Sequence, residues 1–468
     1  MTDRFVDSLI HSLGNDTVST DPALLDARRH DYWVLAHLDD RQGRAAPRAL
    51  CVVQPRHVDQ VVECVQLCRA AGIPIVPHGL GSGVCGGVQA HPQRVLMDLS
   101  TLAQTRYIDA HNLLAAFDAG KRGSDAEQAV AAHGLTIGHW PQSIDVSSVG
   151  GWVATRASGQ FSTANGNIED IVYAVEAVLA DGSIIEAGRA PRAAAGPDLR
   201  QLLLGSEGTL GIITGVTCAL RRKAEAEDYS AYIVPSLHAG FEFQRAVVQS
   251  GWQPPVMRQY DAIEAHRSFA AYAQPEAGIV ILVHEGPATR VAAEIAAVDA
   301  LAAQHGLQRA DAMAATGWLD HRNTVSHWDT FLDKQIIVDT AEISAPWDRI
   351  ERIYDTVIAA LKEVPDLLNA SAHSSHVYRT GINLYFSFAV RPANAADMRA
   401  RYVDCWRRIM TATAAGGGGI AHHHGIGRLR RDYLSHDLGD TGIATLRRVK
   451  QALDPAGIFN PGVLLPDA

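Results

Sequence analysis

The sequence predicts an α+β protein built as two domains, and three observations predict it. Its 468 residues exceed what one ordinary core encloses. The first half is dense in glycine and opens on a strand–helix–strand pattern, whereas from about Ala224 long apolar strands alternate with amphipathic helices. Neither half contains a low-complexity tract or an evident repeat, and with 47% hydrophobic and 20% charged residues the whole chain is expected to fold.

The elements follow in order. Arg48 to Val53 (RALCVV) reads as a strand, after which Val58, Val61, Val62, Val65 and Cys68 recur at helical spacing until Gly72 stops the pattern. A second strand, Ile73 to Pro77, runs into a glycine loop, and Arg94 to Leu99 (RVLMDL) supplies a third. Within Ile168 to Ala187, the word AVLADGSIIEA reads as a hairpin in which Asp181-Gly182 supplies the positive φ of a two-residue turn. In the second half, Gly278 to Gly286 is a strand, and the helix after it places Val291, Ile295, Val298 and Ala302 on one face before Gly306. Strands at Gln335 to Thr340 and Asn383 to Val390 follow. In the latter, Leu384, Phe386 and Phe388 point to a core, while Asn383, Tyr385 and Ser387 present a face polar enough to line a pocket. Asp454 to Leu465 is turn-rich and closes the chain without a long helix.

Composition excludes several roles. A formal charge of −10 with no run of Lys and Arg argues against nucleic acid and leaves a small molecule as the expected partner. The start, MTDRFVDSLIHSLGNDTV, lacks a signal peptide's basic end and apolar centre, and no run of eighteen apolar residues occurs, so a soluble cytoplasmic protein without membrane insertion is expected. The six cysteines show neither CxxC spacing nor disulfide density; reduced thiols are expected, with Cys64 and Cys68 packed on one helix face.

The glycine segment Pro77 to Gly87, PHGLGSGVCGG, carries the first chemistry. Glycines at 79, 81, 83, 86 and 87 let backbone N–H groups approach a ligand and form an anion-binding nest, for which a pyrophosphate is a natural guest. No helix pattern starts at its end and no Lys-Ser/Thr follows, so it is neither a Rossmann fingerprint nor a Walker loop.

Two further segments make that reading specific: PQSIDVSSVGGWVATRASGQFSTANGNIEDIV from Pro141, and LLGSEGTLGIIT from Leu203 to Thr214. Together with PHGLGSG, they resemble the flavin-binding domain of the vanillyl-alcohol oxidase superfamily, the fold shared with para-cresol methylhydroxylase, over roughly residues 45 to 222. The resemblance implies a two-subdomain FAD-binding domain over residues 1–222, opening with a helical segment of about 1–44. It further implies an α+β cap or substrate domain over 223–430 and a C-terminal segment, 431–468, that returns to the flavin site. Carried over by motif, the candidate FAD contacts in the first segment are Pro77, His78, Gly79, Leu80, Gly81, Ser82 and Gly83. The second segment adds Pro141, Ser147, Ser148, Gly150, Gly151, Thr155, Ser158 and Gly159, and the third adds Glu207, Gly208 and Ile212. Some members bond FAD covalently through a histidine, but His78 falls where the family commonly has a residue that makes no such bond. Noncovalent FAD is therefore expected, in a homodimer.

Within the superfamily, ATRASG, APWDR (Ala345 to Arg349) and HHHGIG (His422 to Gly427) are similar to the alkyl-dihydroxyacetonephosphate synthase branch. That branch carries an active-site tyrosine thirty-seven residues before the first histidine of the triplet, which selects Tyr385 here, already placed on the polar strand face. Arg258 matches a family arginine near the active site, and Asn383 and Arg349 join the expected substrate pocket. One departure stands out. Where the family has a Tyr-Leu-Arg-Asp word whose arginine binds an anionic part of the substrate, this chain reads Ser326-His327-Trp328-Asp329. An indole cannot pair with a carboxylate or phosphate.

Three adjacent imidazoles, His422, His423 and His424, suit either a metal or acid/base work. In an extended segment His422 and His424 share one face and His423 the other, so all three cannot converge on one ion. His373 and His376 could add ligands, but the words AHSSHVYRTG and HHHGIG lack the acidic residues of the related metal-using 2-hydroxy-acid dehydrogenases, HxxDGNxH and EHGIG. No metal is expected. The favoured reading is an FAD-dependent oxidoreductase that oxidises a small hydroxy- or amino-type substrate by hydride transfer to flavin N5, with Tyr385 and the histidines moving protons. The alternative is a synthase-like transferase that exchanges acyl for alkyl with no net redox. A flavin-binding protein without catalysis would leave the Tyr and His set unexplained.

Overall fold

The computed structural model describes residues 2–466. Strands Cys51–Val53 and Ile75–His78 both pair in parallel with Val95–Asp98, and Val18–Ser19 adds an antiparallel edge. The crossover helix, Val58–Ala71, buries Val61, Cys64, Val65 and Cys68 and is closed by Gly72. Three- and four-residue spacing of small apolar side chains is what lets it lie flat on the sheet. The open edge at Ile75 is covered by the chain's own end: Ile75 and Phe459 form a parallel bridge, flanked by Ile75 N donating to Ile458 O at 2.7 Å.

A second sheet is five-stranded and antiparallel, in the order Thr105–Asp109, Leu114–Asp118, Ile212–Ala219, Val172–Val178, Ile184–Ala187. Its hairpin corrects the expected turn. Leu179 N donates to Ser183 O and Gly182 N to Leu179 O, so the loop has three residues, and only Gly182 (φ 86°) takes positive φ. A type I turn closed by a left-handed glycine absorbs strand twist as well as a two-residue turn does.

The cap holds an eight-stranded antiparallel sheet. Its main path runs Gln308–Ala310, Ala226–Val234, Gly278–Gly286, Val256–Tyr260, Leu367–Ser374, Gly381–Val390, Ile337–Pro346. Helices Leu237–Gln249, Ala288–Gln304, Trp347–Lys362 and Met398–Gly416 share one core with it. Leu384, Phe386 and Phe388 enter that core from Gly381–Val390. Two details depart from expectation. Helix Val34–Arg41, in the segment assigned to the first domain, sends Val34, Leu35 and Leu38 into the cap core instead, and Trp33 Nε1 donates to Tyr402 Oη at 2.9 Å. In helix Ala288–Gln304, Ile295 is only half-buried, because Glu294 turns inward to pair with His284. The helical span Ser435–Leu453, broken by a kink at Gly439 (φ 64°, ψ 168°), leads into the turn-rich tail.

Candidate active site

Between the two sheet systems of the first half and the cap lies a cavity of about 1160 Å³. Its floor is the glycine loop released by strand Ile75–His78. Among the described residues, the amide N–H groups of Gly79 to Gly83 make no hydrogen bond within the chain. Unpartnered donors gathered in one loop are what a polyanion requires. The loop cannot be filled in: a Cβ at Gly79 would lie 2.5 Å from Ser148 Oγ, and Gly81 takes φ +74°. Ser148 in turn caps helix Val149–Thr155 by accepting from Gly151 N at 3.2 Å. Of the candidate flavin contacts, all line the cavity except His78 and Gly159. His78 is buried behind the loop, with Nδ1 2.9 Å from Gly79 O, and Gly159 packs so closely on Trp140 N that only hydrogen fits. Size, free donors and the excluded side chains all fit a dinucleotide.

Two buried carboxyls edge this floor. Glu207 accepts from Ile426 N at 2.7 Å and Gly427 N at 2.9 Å; burial nonetheless pushes its carboxyl up to about 7. Asp31 accepts from Gly87 N at 2.7 Å, and burial pushes it up to about 6. Asn460 of the tail donates to Gly87 O and Glu207 O at 3.1 and 2.8 Å, tying the chain's end to the cavity wall.

The opposite wall shows why the three histidines are adjacent. The backbone N–H groups of His422, His423 and His424 all point at Glu342 Oε1, at 3.4, 3.3 and 2.9 Å. Glu342 also binds Arg430, whose Nη1 lies 2.6 Å from Oε1, and Glu342 Oε2 is 2.8 Å from His424 Nδ1. Burial alone would raise the Glu342 carboxyl, but Arg430 and His424 hold it well below the usual carboxylate range. This buried ion pair anchors the backbone of the triplet and the ring of His424. His423 Nε2 meets Tyr385 Oη at 2.8 Å inside the cavity. Burial, with the neighbouring imidazoles, pushes His423 and His376 well down, so both rings are neutral; burial pushes the Tyr385 phenol up. His376 Nδ1 is held by Ser162 Oγ at 2.6 Å and Ser158 Oγ at 3.0 Å. His373 stacks on Tyr385 with centroids 4.6 Å apart, and its Nδ1 lies 2.8 Å from Glu264 Oε2. Burial opposes ionisation of Glu264, but His373 and Ser387 bring it down to about 2.

Arg258 is buried in the same wall, its Nε donating to Tyr260 Oη at 2.9 Å, and it forms no salt bridge among the described residues. Trp328 lines the cavity with Nε1 donating to Tyr32 O at 2.9 Å. Two expected pocket residues lie elsewhere. Asn383 Oδ1 accepts from Ser375 N and His376 N, both at 2.9 Å, so it shapes the His376 turn instead of the cavity surface. Arg349 is exposed and donates to Gly417 O. His422 also lies outside the cavity wall, touching it through His423 and through the stacked ring of His376. Motif reading missed Glu342, Arg430 and Glu264; for Glu342 the available signal was a carboxylate at an inward position of strand Ile337–Pro346, because a buried charge needs a partner.

The nitrogens of His376, His422 and His423 lie within 4.8 Å of one another. The His376 and His422 rings stack at 21°, and both nitrogens of His422 and of His423 already face hydrogen-bond partners. Parallel rings do not converge on an ion, so the arrangement fits a hydrogen-bond network better than tetrahedral ligation.

Comparison with known proteins agrees with this geometry. The FAD binding domain model matches residues 49–188, and that of the FAD linked oxidases' C-terminal domain matches residues 223–464. The chain is 32% identical to an uncharacterized FAD-linked oxidoreductase, YgcU, of Escherichia coli O157:H7, over 98% of both chains. It is 29% identical to alkyldihydroxyacetonephosphate synthase of Caenorhabditis elegans, over 92% of this chain and 78% of that protein. A solved alkyldihydroxyacetonephosphate synthase superposes with a TM-score of 0.83 at 22% identity, covering 98% of this chain and 84% of the other; p-cresol methylhydroxylase does so at 0.78 and 16%, covering 98% and 96%. No helix among the described residues is long and apolar enough to cross a membrane. The chain belongs to the FAD-linked oxidase family, and FAD is its cofactor.

Proposed function

We propose that this flavoenzyme oxidises a small hydroxy- or amino-type substrate bearing an anionic group, with FAD held noncovalently. One observation carries the reading: a neutral Tyr385–His423 pair opens onto the cavity beside Arg258, a buried guanidinium that forms no salt bridge among the described residues. When bound, FAD supplies the acceptor for the hydride. Arg258 pairs with the substrate's carboxylate or similar group and orients the reacting carbon. Tyr385 Oη takes the substrate proton while passing its own to His423 Nε2, so no phenolate is left in the buried wall. Glu342 and Arg430 hold the triplet's backbone and with it the position of His423. His78, turned away from the cavity, supports noncovalent attachment.

A transferase reading draws support from the relatives named alkyldihydroxyacetonephosphate synthase. Trp328 weighs against it, since its only donor is spent on Tyr32 and it offers no charge to a phosphate. The two are separated in an anaerobic cuvette. Small 2-hydroxy acids, alcohols and amines are screened for bleaching of the oxidised flavin band, with acyl-dihydroxyacetone phosphate plus a fatty alcohol in parallel. Bleaching by one of the former supports oxidation. Ether product with flavin left oxidised overturns it.

A further inference from the structure

The hydrogen-bonded chain that starts in the cavity continues past the Tyr385–His423 pair. His423 Nδ1 lies 2.7 Å from His422 Nδ1, and His422 Nε2 lies 2.6 Å from Tyr378 Oη. Tyr378 is half-buried and meets Asn167, also half-buried, whose Nδ2 donates to Tyr378 Oη at 3.1 Å. The path therefore leaves the cavity wall at His423, crosses His422, and ends where the cap meets the FAD-binding half of the chain. Two imidazoles joined Nδ1 to Nδ1 are an unusual choice for mere packing: one must donate and the other accept, so the pair has two proton arrangements and no third.

We propose that Tyr385, His423, His422 and Tyr378 form a proton relay that carries the substrate's proton out of the cavity to solvent beside Asn167. The proposal rests on the oxidative reading of the site. The proton count balances. Before reaction, Tyr385 O–H points at His423 Nε2, His423 Nδ1–H at His422 Nδ1, and His422 Nε2–H at Tyr378 Oη. When the substrate hydroxyl gives its proton to Tyr385 Oη, the Tyr385 proton moves to His423 Nε2. The His423 Nδ1 proton then moves to His422 Nδ1, the His422 Nε2 proton to Tyr378 Oη, and the former Tyr378 proton to water. Each imidazole gains a proton on one nitrogen and loses one from the other, so neither becomes charged. That matters here, because burial holds His422 down to about 4 and His423 well below its usual value. A relay that charged either ring would work against the site's own electrostatics; this one does not. His422 and Tyr378 touch no substrate and act through His423.

The test uses the holoenzyme and the variant Tyr378→Phe, which removes one oxygen and keeps the ring. In the first arm, histidine ring nitrogens are labelled with ¹⁵N and no substrate is added. The relay predicts neutral His422 and His423, with one far-downfield proton shared between their Nδ1 atoms, and predicts that Tyr378→Phe shifts the tautomer balance of both rings. In the second arm, anaerobic flavin reduction by an oxidisable substrate is timed in H₂O and D₂O. Tyr378→Phe should slow reduction about tenfold, less than the roughly hundredfold or more lost with a group that takes the proton directly, and should shrink a multi-proton solvent isotope effect to that of a single proton. Absence of a shared Nδ1 proton in the wild type overturns the relay, as does a Tyr378→Phe variant with unchanged rate and isotope effect. Failure of every candidate substrate to bleach the flavin counts against the oxidative reading alone, since the first arm reads the relay without turnover.

Discussion

The cap contains two histidine constellations built from similar parts, and only one of them faces a cavity. In the first, Ser230 Oγ lies 2.9 Å from His284 Nε2, and His284 Nδ1 lies 2.8 Å from Glu294 Oε1. This is the bonding order of a hydrolytic triad. All three residues are buried and none borders the cavity. They arise from packing: Ser230 pairs with Leu282 across strands Ala226–Val234 and Gly278–Gly286, which puts His284 diagonally opposite, and Glu294 turns inward from the helix above. In the second, Tyr385 Oη lies 2.8 Å from His423 Nε2, and the supporting carboxylate, Glu342, grips the backbone of the triplet. The difference teaches that bonding order does not make a site. Access does, together with a support that leaves the reactive atoms free.

Parallel substitutions sharpen this contrast. His423→Ala should keep FAD and lose about two to four powers of ten in turnover, the usual cost of a positioned acid or base. His284→Ala should keep turnover per folded molecule while leaving Glu294 buried and unpaired, at a cost of about 3–5 kcal/mol in urea unfolding. Equal turnover losses from the two would erase the distinction drawn here. Removing the support should be nearly as severe: Glu342→Ala strands the Arg430 guanidinium at 0% exposure, with a stability loss of about 3–5 kcal/mol. Replacing both Glu342 and Arg430 with apolar residues should recover much of that stability without recovering turnover, because the His423 backbone loses its anchor.

A pH measurement separates the cavity floor from both clusters. Glu207 has its folded value raised to about 7 from an unfolded 4.5. Its contribution is therefore present in full below 4.5 and is lost as pH rises through 7, amounting to about 3 kcal/mol over that window. In the FAD-free protein, Glu207→Gln should remove this component, so the stability difference between wild type and variant should shrink or invert from pH 4.5 to 7.5. A pH-independent difference would mean that Glu207 titrates normally. The smallest effect is expected from Ser230→Ala, about 1 kcal/mol for one lost hydrogen bond, with turnover unchanged.

How much of this was legible depended on whether the cause was local. Helix Val58–Ala71 was, since its face and its stop lie within fifteen residues of one another. The loop Gly79 to Gly83 was as well, and the alternation in NLYFSFAV alone put Tyr385 and Ser387 on a polar face that does line the cavity. Asn383 shared that alternation but is spent on the backbone of Ser375 and His376, which alternation cannot foresee. The ion pair of Glu342 and Arg430 joins residues far apart in sequence, and nothing local to either announces the other. Glu294 displaced Ile295 from the buried face because His284 rewards a carboxylate there. Helix Val34–Arg41 falls in the helical segment of about 1–44 that the resemblance implied, but the partner that covers it is chosen by topology.

The central claim is that the substrate proton leaves through Tyr385. It is tested most directly by rapid anaerobic mixing of the FAD-loaded Tyr385→Phe variant with a substrate that bleaches the wild type. The account predicts the oxidised flavin spectrum intact at the start and reduction slowed by about a hundredfold or more. Reduction at the wild-type rate would contradict it.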